Sequence, residues 1–149
     1  MSKSILMHDE QNNLIEIYVY FIIKNINGTQ RIVIINKEEY DKILENKEDS
    51  REVDVLSTWW RPQTWHTNNR ILNESKSYNV QTEESHFDFV KYQQNLIKYC
   101  LVKWDMRDEE DQIIEVNEEN INALPYDIAM YLISRYNELA LEDSEVKKK

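Results

Sequence analysis

The side chains that could carry chemistry in this 149-residue chain are three histidines, one cysteine and 28 carboxylates. His8, His66 and His86 make no pair with each other or with Cys100 at the spacing that sets two metal ligands on one helix face. Cys100 is alone, so an intramolecular disulfide and a thiolate-rich metal centre are both excluded. A single Cys with a His elsewhere is the minimum for a thiol enzyme. Cys100, however, falls on the apolar face of a helical pattern, and nothing cationic is placed to activate it. Gly28 is the only glycine. A phosphate-cradling loop, a dinucleotide fingerprint and a serine nucleophile elbow all need several glycines, so none can be built. The run Asp105–Asp111 has the look of a calcium loop. Counted from Asp105, the sixth and twelfth positions hold Glu110 and Val116, where an EF-hand needs Gly and a bidentate Glu. The expectation is no catalytic residue, no metal site and no cofactor.

The strongest local oddity is aromatic. Trp59, Trp60 and Trp65 fall within seven positions, with Arg61 and Pro62 between them. Pro62 holds Arg61 extended, so the segment is not the middle of a helix. Two readings compete. The tryptophans belong to the core, because Trp is usually deeply buried. Alternatively, Trp59, Trp60, Arg61 and Trp65 form an exposed partner-binding patch, since Trp and Arg dominate interface hot spots. A stacking platform for sugars or bases is a third reading, which the acidic charge of the chain disfavours for a polyanion.

Whole-chain properties limit what such a patch would meet. The formal charge is −10, so a general nucleic-acid binder is not expected. The hydrophobic fraction is 41%, with four Trp and nine Tyr, enough for a real core. The first residues, MSKSILMHDEQ, lack the apolar region of a signal peptide. No apolar run reaches the roughly 20 residues of a membrane span. The expectation is a soluble intracellular protein of one domain, residues 1–149, with loosely held ends at 1–13 and 142–149.

The elements follow from pattern. Leu14–Lys24 and Arg31–Ile35 are rich in β-branched and aromatic residues and flank Asn27-Gly28, which predicts a β-hairpin. Asn36 caps a short amphipathic helix ending near Glu48. Val53 and Val55 alternate with Asp54 as a short strand does. Asn68–Glu84 lacks periodicity and reads as a long loop. Ser85 starts a helix whose apolar stripe runs from Phe89 through Cys100 to Trp104, with Asp88 completing a box-like cap. An acidic turn leads to a short extended piece, Gln112–Val116. Asn117 caps one helical turn, and Pro125 opens a last helix with Ile128, Tyr131, Leu132, Tyr136 and Leu139 on its stripe. The fold class expected is α+β, an N-terminal antiparallel hairpin or small sheet packed against two or three C-terminal helices.

The segment from Leu101 to Leu139 resembles a pattern in small tail-assembly and minor tail proteins of tailed bacteriophages. The matching residues are Trp104-Asp105, the acidic turn Asp108–Asp111, Asn117–Ile121 and Leu124-Pro125. Asp111 stands where the pattern has Gly. The resemblance covers about the last third of the chain. It implies a non-enzymatic protein that holds or joins phage structural proteins, itself included, in the host cytoplasm and the virion. A different class fits the charge, a small acidic anti-defence protein that occupies a basic host factor. Neither reading involves nucleic acid or a membrane.

Overall fold

A computed structural model describes the backbone of residues 13–148 and side chains from 13 to 140. The amino-terminal end expected to be loose, apart from Asn13, lies outside the described residues, as do the side chains of 142–149. His8 is outside them as well.

The first two strands, β1 (Ile15–Ile26) and β2 (Thr29–Ile35), form the hairpin that Asn27-Gly28 predicts. Asn27 and Gly28 take φ of 52° and 79°, the pair of left-handed residues that a two-residue turn requires. Asn36 then caps α1 (Lys37–Glu45), its side chain accepting the Glu39 amide at 2.8 Å. The chain crosses to the other side of β1 as β3 (Glu52–Trp60). That strand is far longer than the Val53–Val55 alternation suggests.

The expected loop after it is structured. Thr64 caps α2 (Trp65–Glu74), and a second hairpin follows, β4 (Lys76–Asn79) with β5 (Glu84–Phe87). Ser85 therefore lies in a strand and caps nothing. The cap of α3 (Phe89–Cys100) is Asp88, which accepts the Lys91 amide. The helix also stops before Trp104. At Cys100 the chain passes directly into β6 (Leu101–Trp104), which pairs with the end of β3. Two elements complete the fold, α4 (Glu118–Asn122) and α5 (Tyr126–Lys148).

The architecture is α+β. A four-stranded antiparallel sheet in the order β2-β1-β3-β6 carries α2, α3, α4 and α5 on one face and α1 on the other. That face contributes Ile17, Val19, Phe21, Leu56 and Trp60 to the main core. The helices contribute Ile71, Leu96, Ile97, Cys100, Leu132 and Tyr136. The opposite face is covered only in part. Ile22 and Ile43 are buried there outside the main core, and the Tyr20 and Tyr40 rings meet at 4.9 Å. Strand alternation explains the division, since odd residues of β1 point to the helices and even ones away.

Candidate functional site

The tryptophan segment divides between the two sides of the sheet. Trp60 is fully buried, so it leaves the expected contact set. Its indole N–H donates to Thr58 Oγ1 at 2.7 Å, and that hydroxyl donates to the Ile17 carbonyl at 2.8 Å. The ring packs on Tyr136, with centroids 5.3 Å apart. Arg61 continues the same inner structure. Its amide donates to the Cys100 carbonyl and its own carbonyl accepts the Tyr136 hydroxyl, each at 2.8 Å. The β3–β6 register shifts at this point, Trp59 facing Lys103 and Trp60 facing Leu101, so Val102 is the extra residue and it lies in β6. Trp59 lies on the outer face with Lys103 Nζ 4.8 Å from its ring centre. Trp65, in the first turn of α2, is 82% exposed. Trp59, Arg61 and Trp65 thus form no single patch around Trp60.

Cys100 is buried beside Tyr136, and burial pushes its thiol up to about 11. Burial also raises the Tyr136 phenol. Both groups are held neutral at ordinary pH, which is the condition of packed interior side chains. His66 and His86 are exposed on α2 and β5. Among the described residues no group of three or more His, Cys, Asp or Glu is placed to hold a metal ion. The acidic turn is a closed structural unit. Asp108 Oδ1 accepts the amides of Glu110 and Gln112, and Arg107 donates to the Asp111 carbonyl at 2.9 Å.

The concentration of exposed apolar side chains lies elsewhere, in the stretch whose sequence reads as loop and helix entry. The β4–β5 hairpin projects from the body. It is held at its base, where the Asp88 amide donates to the Ser75 carbonyl at 2.6 Å and Ser77 Oγ donates to Asp88 Oδ2 at 2.9 Å. The Lys91 amide, and after it the Ser77 hydroxyl, hold the Asp88 carboxyl below the usual carboxylate range. The cross-strand register puts Tyr78 and Phe87 on one face. From there the aromatic surface continues onto α3. Phe87 and Tyr92 lie 5.6 Å apart, and Tyr92 stacks on Phe89 at 6.2 Å. Tyr78, Phe87, Phe89 and Val90 are all half exposed or more, and Val80 at the hairpin tip is 78% exposed. Beyond Val90 a groove of about 530 Å³ opens between α3 and α5, floored by Ile97, Ile121, Leu124 and Ile133. The usable signal in the sequence was the alternation of Tyr78 and Val80 with polar neighbours, too short to stand out among so many polar residues.

No helix among the described residues is long and apolar enough to cross a membrane. Comparison with family models, with curated proteins and with solved structures finds no match to this chain.

Proposed function

We propose that this chain is a non-enzymatic structural or tail-assembly protein of a tailed bacteriophage, acting through protein–protein contact. The observation that carries the contact reading is the projecting hairpin. A two-stranded hairpin is marginal in water by itself. This one nonetheless presents Tyr78, Val80 and Phe87 to solvent and joins them to Phe89 and Val90. Covering side chains of this kind is worth roughly 1.5–3 kcal/mol each when burial is complete. A surface of that kind is suited to hold an apolar segment of another protein. Trp65 is a second exposed anchor, while Trp59 contributes from the outer sheet face.

The phage assignment rests on the resemblance in the last third, and local geometry supports it. Asp111 occupies the Gly position of the pattern and takes φ of 60°, so the turn keeps its left-handed residue. Trp104 and Asp105 have definite structural tasks. The Trp104 indole donates to the Ile114 carbonyl at 2.7 Å, and Asp105 Oδ1 accepts the Ser57 amide at 2.8 Å. Asn117 caps α4 by accepting the Asn120 amide at 2.8 Å.

The test is light scattering by an aggregating tail component, such as a tape-measure protein from the same genome, at equimolar ratio. The protein lowers the scattering, and the double variant Tyr78→Ala, Phe87→Ala loses this effect with its melting temperature unchanged. No effect of the unaltered protein, or an equal effect of the variant, rejects the proposal. Binding instead to a basic host protein, with steep loss in salt, selects the anti-defence reading.

A further inference from the structure

The sheet has a notch. β2 pairs with β1 from Ile26 back to Tyr20 and then leaves as α1, whereas β1 continues to Ile15 against β3. The turn geometry decides which main-chain groups this leaves open. A two-residue hairpin loop makes its flanking residues, Ile26 and Thr29, a hydrogen-bonded pair. Alternation then turns the amides and carbonyls of even-numbered β1 residues toward β2 and those of odd residues toward β3. Beyond Tyr20 the outward-facing residues are Tyr18 and Glu16, and β2 no longer reaches them. No backbone bond from another element meets them among the described residues.

The notch is walled. It opens into a trough of about 420 Å³ between this edge, the end of β2 at Ile35, the start of α1 at Lys37, and Tyr131, Ser134 and Arg135 of α5. The outer edge of β2 carries Gln30 and Arg31 and meets Pro125, Tyr126 and Asp127 in a separate cleft of about 510 Å³. Most charge along the trough is already matched. Arg135 pairs with Glu138 at 2.9 Å, and the Tyr18 hydroxyl donates to Glu16. Lys37 has no carboxylate within ion-pair distance among the described residues.

From these features we infer that the Ile15–Val19 edge is a strand-addition site. Its occupant is an extended segment of a partner protein that runs antiparallel to β1, in line with β2, with a carboxylate at its N-terminal end facing Lys37. The unpaired donors and acceptors of Glu16 and Tyr18 select an extended backbone, because only a strand presents complementary groups at that spacing. The end of β2 sets the register, and Lys37, a cation in a chain of net charge −10, sets the polarity. This surface is separate from the Tyr78–Val90 aromatic surface, and its test uses no phage component.

Amide hydrogen exchange on the free protein comes first. Ile17 and Val19 are protected, and Glu16 and Tyr18 exchange at least about tenfold faster, as open-edge amides do. The probe peptide acetyl-Glu-Val-Thr-Val-Thr-Val-amide then slows the Glu16 and Tyr18 amides selectively. Replacing its Glu with Lys weakens binding about threefold, the scale of an exposed ion pair. Methylating the peptide nitrogens that face β1 abolishes binding. On the protein side, Tyr18→Ala keeps binding and Tyr18→Pro loses it. Where Tyr18→Pro fails to fold, the methylated peptide decides the same point. Slow exchange at all four amides in the monomer overturns the inference, since the edge is then already covered. So does a sedimenting dimer with those amides protected, which makes a second copy the occupant, and so does equal affinity for the methylated peptide.

Discussion

Residues 59–65 and residues 76–90 are both rich in large apolar side chains, and the fold buries the centre of the first while leaving the second in solvent. The first stretch has the denser aromatic signal, three tryptophans in seven positions. Its centre is nevertheless the best-buried aromatic among the described residues, with the Trp60 indole bonded to Thr58 and packed at a tilt against Tyr136. The second stretch has no comparable density, yet Tyr78, Val80, Phe87, Phe89 and Val90 all face solvent. Aromatic density therefore reports burial or exposure only after strand register is known. Trp59 and Trp60 are neighbours in a strand, so they must point to opposite faces.

The largest effect is expected where burial is deepest, at Trp60. Trp60→Ala is expected to cost about 3–5 kcal/mol of stability, the scale of a truncated core aromatic. Denaturant unfolding measures this. A cost near zero would move Trp60 out of the core. Thr58→Val comes next, at about 1–3 kcal/mol, because it leaves the buried Trp60 N–H without its acceptor. A smaller cost of Trp60→Phe in the Thr58→Val background than in the unaltered protein would show that the lost bond is the cause. Asn117→Ala is smaller, about 1 kcal/mol for a lost helix cap, and thermal melting reads it. Trp65→Ala should fall within about 0.5 kcal/mol of the unaltered protein, as an exposed substitution does. A larger loss would mean that Trp65 is packed.

Titration sharpens the same contrast. The Cys100 thiol is raised from 9.0 to about 11 in the folded state, chiefly by burial. Its contribution to stability is therefore complete below pH 9.0 and is lost as pH rises toward about 11, where the unfolded thiol ionises and the folded one does not. Stability should fall across that interval, and Cys100→Ala should make the fall shallower. At pH 8 the thiol should react with a disulfide reagent only as fast as the protein opens. Rapid labelling in the folded state would contradict the burial.

Much of the frame was legible from local chemistry. Asn27-Gly28 specified the first hairpin, Asn36 and Asn117 specified helix starts, and the Leu96–Cys100 stripe marked a core helix. Three features were not legible. The end of α3 at Cys100 was hidden, since Leu101–Trp104 continues the apolar pattern of the helix. Its conversion to β6 depends on the edge of β3, some forty residues earlier in the chain. α2 and the second hairpin were hidden in and around Asn68–Glu84 because their apolar residues are few and most of them face water. Ser85 and Asp88 are both competent caps, and the strand pairing of Ser85 with Tyr78 decides between them.

Local sequence settles the α+β class, the first hairpin, the caps of α1 and α4 and the lack of glycine-built phosphate loops. These depend on neighbours within a few positions, where backbone preference and side-chain spacing act directly. Only the tertiary structure decided which tryptophan is core, which stretch carries the exposed aromatic surface, and where β1 outruns its partner. Each of these depends on strand register between segments far apart in the chain. A shift of one residue there reverses which side chains the sheet buries.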